Sequence, residues 1–184
     1  MKSRFCALAL SGFALLSPLA GVADAQPVDF GKIAKDAVGD AVGEVKGVAR
    51  RKVMRSVNAK LMAEGRKNQC SFKTDTDELA AGCDTKLKRL TNVLIEVKKR
   101  LKVAGVTDYK FEVSGHTDST GSDEHNKALA GRRAAVIVKE LVRRGIPEGE
   151  IDSVAMGASR PRVKKDNTPA KRAKNRRYEI QVRS

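Results

Sequence analysis

The sequence predicts an α/β fold, a two-layer sandwich of βαβαβαβ order with a mixed sheet, preceded by a helical or linker-like N-terminal arm. Three observations predict it. Segments 109–114, 151–156 and 178–182 read as strands, with a shorter candidate at 69–73. Among them lie two long stretches whose apolar residues recur every three or four positions, as on one face of a helix. The two kinds of segment alternate along the chain, which favours layers with some parallel pairing.

The elements follow in order. Lys2 and Arg4 precede an apolar run from Phe5 to about Ala20, broken by Gly12 and Pro18. Ala23-Asp24-Ala25 then sets small residues at the −3 and −1 positions of a cut before Gln26. Residues 1–25 therefore read as a secretory signal peptide, too short and too interrupted to anchor the chain in a membrane. Cys6 stands at the start of the run rather than after it, so it is badly placed for lipid attachment. No later segment approaches the apolar length that spans a bilayer. The mature chain is therefore expected to be soluble and outside the cytoplasm.

Residues 26–67 form the arm. Ile33, Ala37, Ala41, Val45, Val48, Val53, Val57 and Leu61 recur at roughly helical spacing, and Gly39, Gly43 and Gly47 line small residues along one face. Each glycine costs up to about 1 kcal/mol of helix propensity, so the helix needs a partner. Six basic residues and no acid lie from Lys46 to Lys60. Such an arm suits an anionic membrane surface, self-association or contact with other envelope proteins; a semi-ordered linker suits the pattern too.

Residues 68–184 read as one domain of ordinary size. Leu87, Leu90, Leu94, Val97 and Leu101 make an amphipathic helix that Asp84 or Thr85 can cap. Ser122 can cap a second helix, with Asp123 and Glu124 well placed for its dipole, and Gly145-Ile146-Pro147 stops it. A short helix over 168–175 precedes the last strand. Cleavage would leave Cys70 and Cys83, which in an oxidising compartment suggest one disulfide closing a loop of about 14 residues, worth about 3 kcal/mol if unstrained.

Charge narrows the partners. The chain carries +15, and losing Lys2, Arg4 and Asp24 leaves 35 basic and 21 acidic residues, or +14. An anionic partner is indicated. Nucleic acid is not expected for an exported chain without tryptophan and with 4% aromatics, since little is left for base stacking. Residues 160–184 alone hold ten basic residues against two acidic ones. These serve either as a solvated face or as a diffuse attraction to an acidic polymer.

The second helix carries an anomaly. Ala130, Ala134, Ile137 and Leu141 form its apolar stripe, and Arg133 lies near the middle of it, with Asn126 on the same side. A guanidinium on a core-facing stripe needs a partner, because an unpaired buried charge is very costly. Asp118, in the turn before the helix, is the candidate. Either the two pair and tie strand to helix, or they flank a shallow cleft. In a cleft Arg133 would grip a carboxylate through its planar fork, Asp118 would take an ammonium, and Asn126 would fill the remaining bonds. His116 and His125 bring no third or fourth metal ligand at a useful spacing. No nucleophile stands beside a base and no glycine-rich phosphate loop is present, so no metal, cofactor or enzymatic chemistry is expected.

Residues Val113-Ser114-Gly115-His116-Thr117-Asp118, then Gly121, Asn126, Leu129, Arg133-Ala134 and Val138, resemble the core motif of the OmpA-like peptidoglycan-binding domain. Gly145-Ile146, Gly157, Pro161, Asn167-Thr168, Arg172 and Asn175-Arg176-Arg177 resemble that family's tail. The family's helix often reads Leu-Ser where this chain has Leu129-Ala130-Gly131, and residues 72–75 match the family's first loop only loosely. The resemblance implies a domain that binds the diaminopimelate residue of the peptidoglycan stem. Asp118 would hold the ligand's ammonium and Arg133 its carboxylate, Thr117 and Asn126 would line the pocket, and Arg176 would approach from the last strand. No barrel-like run of strands precedes the domain, so a full porin-like protein is not expected. The expected function is non-enzymatic anchoring to the cell wall, and the resemblance implies a location in the periplasm, with outer-membrane association as a further expectation. The alternative is a basic envelope protein acting through membrane-surface binding or oligomerisation of residues 26–67.

Overall fold

The computed structural model describes residues 30–184 except residue 74, with side chains described from residue 43. The signal-peptide pattern lies outside the described residues. The elements are α1 (Phe30–Lys67), α2 (Cys83–Val103), β1 (Lys110–His116), α3 (Asp123–Arg143), β2 (Ile151–Gly157), α4 (Pro169–Asn175) and β3 (Arg177–Arg183), with a 3-10 turn at Glu148–Glu150.

The sheet is mixed, as expected. β1 is central, parallel to β2 and antiparallel to β3. Alternation sorts its two faces. Phe111 and Val113 pair with Val182 and Ile180, and all four are buried among the helices. Glu112 pairs with Gln181 on the opposite face, where their side chains bond each other at 2.6 Å. Helices therefore cover one face, and the other is largely polar.

Among the described residues the sheet has three strands, not four. Residues 69–73 contribute only an isolated bridge between Phe72 and Leu79. The reason lies at the free edge of β3, where side-chain amides stand in for a fourth strand. Gln69 donates to the carbonyl of Tyr178 at 2.8 Å and accepts from its N–H at 3.2 Å. Four residues on, Asn58 accepts from the N–H of Val182 at 2.6 Å and donates to its carbonyl at 3.2 Å. An unpaired edge is a template for misassociation, and these two amides close it. Asn58 belongs to α1, whose Val57 and Leu61 are 2% and 0% exposed in the same core. The compact unit containing the domain spans Val42–Ser184 and so begins inside the stretch expected as an arm.

α2 begins one residue before the expected caps. Gly82, at φ 83°, takes the left-handed position ahead of Cys83, and no side chain caps the helix. Asp84 instead sits in the first turn, favourable to the dipole, and accepts from Arg144 at 2.7 Å. Its five predicted apolar residues are all buried. α3 behaves as predicted at its start, where Ser122 Oγ accepts from the N–H of His125 at 3.2 Å.

Two glycines let α3 sit directly on the strand ends. A Cβ at Gly115 would lie 2.1 Å from the Ala130 carbonyl oxygen, and one at Gly157, itself at φ 55°, 3.1 Å from Lys127 N. Small residues at this crossing bring the first half of α3 over the carboxyl ends of β1 and β2. Cys70 and Cys83 are both buried free thiols, so the expected bridge is not formed in this structure. Cys70 Sγ faces the Cys83 carbonyl at 3.8 Å and Cys83 Sγ the Ser71 carbonyl at 3.9 Å. Burial pushes the Cys70 thiol up to about 12, away from the reactive thiolate.

Candidate functional site

At the carboxyl end of β1 the chain opens a cleft of about 710 Å³. Its walls are the turn after β1, the first half of α3, the 69–75 segment and the residues around α4. The five site residues read from the sequence, Thr117, Asp118, Asn126, Arg133 and Arg176, all line it.

Asp118 is 7% exposed and bonded on both oxygens. Oδ1 accepts from the N–H of Thr120 at 3.0 Å and from its hydroxyl, and Oδ2 accepts from Arg176 Nη1 at 2.7 Å. Burial pushes this carboxyl up, but the bonds from Thr120 and Arg176 outweigh it and hold the group below the usual range. It is an anion at neutral pH.

Arg133 is 8% exposed, on the core-facing stripe where the helical spacing set it. Its partner is not Asp118, contrary to the pairing considered from the sequence. Nε donates to the Thr76 carbonyl at 2.8 Å, Nη2 lies 3.4 Å from the Lys73 carbonyl, and the guanidinium stands 5.0 Å from the centre of the Phe72 ring. Burial, then repulsion from Arg176, lowers its proton affinity, but an arginine stays charged. Among the described residues it makes no ion pair.

Asn126, 3% exposed, donates to the Thr120 carbonyl at 2.9 Å and so braces the turn that presents Asp118. Thr117 is 4% exposed, and its Oγ1 has no hydrogen-bond partner among the described residues. Arg176 follows α4 directly, ahead of β3, and its side chain is 44% exposed.

Three features of the site escaped sequence reasoning. The Arg133 cradle is made of main-chain carbonyls. Asp166 accepts from the N–H of Ser119 at 3.0 Å, from the Ser119 hydroxyl, and from Asn175 at 2.9 Å. These bonds hold it down to about 2 and clip the Asp118 turn to α4. At the mouth, His125 Nε2 pairs with Asp75 Oδ1 at 2.8 Å, and Asp75 has φ 54°. His116 is different: it is buried beside Ser114, and burial, then Arg177, pushes it down to about 4. Among the described residues no group of three or more metal-ligating side chains is assembled, and no helix is long and apolar enough to cross a membrane.

The family model of the OmpA family matches residues 71–176. The peptidoglycan-binding protein ArfA of Mycobacterium tuberculosis is 38% identical over 90 residues, 49% of this chain and 27% of that protein. The peptidoglycan-associated lipoprotein of Mesorhizobium japonicum is 32% identical over 49% of this chain and 48% of its own length. The outer membrane porin F of Pseudomonas fluorescens is 46% identical over 39% of this chain and 22% of its own length. The chain thus spans half or less of these relatives. Among solved structures, the C-terminal domain of MotB from Helicobacter pylori superposes with a TM-score of 0.52 at 21% identity, over 63% of this chain and 84% of that one. A MotB-like protein from Desulfovibrio vulgaris reaches 0.51 at 17% identity, over 73% and 93%. At such identities these two likenesses show the fold.

Proposed function

The chain belongs to the OmpA family, and we propose that it binds peptidoglycan non-covalently in this cleft, without bond-breaking chemistry, anchoring itself or a partner to the cell wall of the periplasm. One observation carries the reading. Asp118 and Arg133, both more than nine-tenths buried, line one cleft with opposite charge and do not neutralise each other. A closed Asp118–Arg133 bridge would leave nothing to recognise, whereas here the two charges stay separate and the ion-pair partner of Asp118 is the half-exposed Arg176, which can move aside. Separate charges of opposite sign are what the zwitterionic end of a diamino acid requires. The names of two relatives, which say that they bind or associate with peptidoglycan, support the same ligand class.

In this reading the ligand's carboxylate meets the guanidinium of Arg133 in paired hydrogen bonds. Its ammonium meets Asp118, and the half-exposed Arg176 swings off the carboxylate to admit it. Thr117 Oγ1 and Asn126 line the pocket. The test is co-sedimentation with purified diaminopimelate-type sacculi under competition. Free meso-diaminopimelate should release the protein, and lysine blocked at both its α-amine and its α-carboxylate, which keeps only a side-chain ammonium, should not. Equal release by both would exclude the assignment.

We propose also that export oxidises Cys70 and Cys83 through exchange with a disulfide oxidant, two thiols giving one bridge as the oxidant is reduced to its dithiol. Two thiols titrating in exported protein before any reductant would exclude it.

A further inference from the structure

The cleft holds more positive charge than one zwitterion can use. Arg133 rests on neutral carbonyls, and Arg176 is matched by Asp118. Arg162 and Lys174, which also line the cleft, make no ion pair among the described residues, and the one described side-chain bond of Arg172, to the Asp166 carbonyl, is 3.4 Å long. The Asp166 carboxylate itself is taken up by Ser119 and Asn175. Among the described residues none of these three cations forms an ion pair, and the carboxylate that senses Arg162, that of Glu179, is held by Arg177 at 2.7 Å. The cleft is also large for one amino-acid end, and beside these cations its lining includes the buried, partnerless Thr117 Oγ1.

We propose a second subsite in the cleft, formed by Arg162, Arg172 and Lys174, that takes a further carboxylate of the same acidic peptide. It rests on the reading of Asp118 and Arg133 as the zwitterion pair. Clustered basic side chains in a partly walled cleft concentrate field lines, so one added carboxylate gains more here than on an open surface. The segment from 160 to 184, which by sequence could be no more than a solvated face, thereby acquires a local role for three of its ten basic residues. Ligand selection follows: a stem peptide whose acidic residue keeps its free carboxylate binds tighter than the same peptide with that group amidated.

Calorimetry on the exported chain tests this with three probes. They are meso-diaminopimelate, the tripeptide L-Ala-γ-D-Glu-meso-diaminopimelate, and the same tripeptide with its glutamate α-carboxylate amidated. The free-acid tripeptide should bind about tenfold tighter than the amide, as expected for a partly solvated charge-assisted contact. In the double variant Arg162→Ala, Lys174→Ala that ratio should fall toward one, while the affinity for diaminopimelate alone stays unchanged. Equal affinity of wild type for acid and amide overturns the subsite and leaves the zwitterion site standing. A ratio that survives in the double variant overturns it too. Failure of all three probes to bind removes both readings.

Discussion

The two long helices of the domain, α2 and α3, are each 21 residues and each lay an apolar stripe into the same core, yet they do different work. α2 is dry along its length: Leu87, Leu90, Leu94, Val97 and Leu101 are all at most 1% exposed. The stripe of α3 is apolar without interruption only in its second half, where Ala134, Ile137 and Leu141 are fully buried. Its first half puts Asn126 and Arg133 on the same stripe, just where Gly115 and Gly157 bring the helix onto the strand ends. The difference teaches that one helix can be split between two tasks. Packing in the second half supplies the rigidity that holds the polar first half at a cleft.

Substitutions can break this comparison, the largest effect coming at the crossing. Gly115→Val should prevent folding, because even a Cβ would overlap the backbone of Ala130. Thermal melts and circular dichroism of the purified chain would show it. Leu94→Ala in α2 should cost about 3 kcal/mol in denaturant unfolding through the lost burial and the cavity left behind. Its affinity per folded molecule should be unchanged, since α2 carries stability and not recognition.

A slightly smaller effect belongs to His116. Burial first, then Arg177, with Arg160 adding and Glu179 opposing, holds it at about 4 against an ordinary 6.5. Above about pH 6.5 the ring is neutral in both states, so it contributes no pH dependence. As pH falls toward 4 the unfolded ring takes a proton that the folded ring refuses, and stability should drop by up to roughly 3 kcal/mol. Unfolding midpoints measured between pH 7 and 4 should fall less steeply in His116→Asn. Identical slopes would place the pH dependence elsewhere.

The smallest stability effect should come from Arg133→Met. The freed carbonyls of Lys73 and Thr76 belong to exposed residues that water can reach, and Met retains much of the buried volume. Denaturant unfolding should shift by less than about 1 kcal/mol. A loss as large as that of Leu94→Ala would make Arg133 a structural residue and erase the contrast between the helices.

Much of this was legible in the sequence, and the remainder was hidden for physical reasons. Apolar periodicity marked α2, α3 and three strands because burial on one face imposes it. Arg133 was visible as a charge at a position whose neighbours are buried. Its partner was not visible, since it bonds main-chain carbonyls, which every residue carries. The edge of β3 was hidden for a related reason. Asn58 and Gln69 imitate a strand with side-chain amides, and that mimicry leaves no period-two pattern. The Asn58 contact, with Val57 and Leu61 buried beside it, shows that the last turns of the glycine-containing α1 gain their stability from what they cover.

The most direct measurement is calorimetric titration of the exported chain with meso-diaminopimelate, beside Asp118→Asn and Arg133→Met, each checked by circular dichroism and melting. The account predicts that wild type binds and that both folded variants lose about 100-fold or more, the scale of removing one partner from a buried charged contact. Folded variants that bind as wild type does would contradict it, and would reduce Asp118 and Arg133 to members of the scaffold.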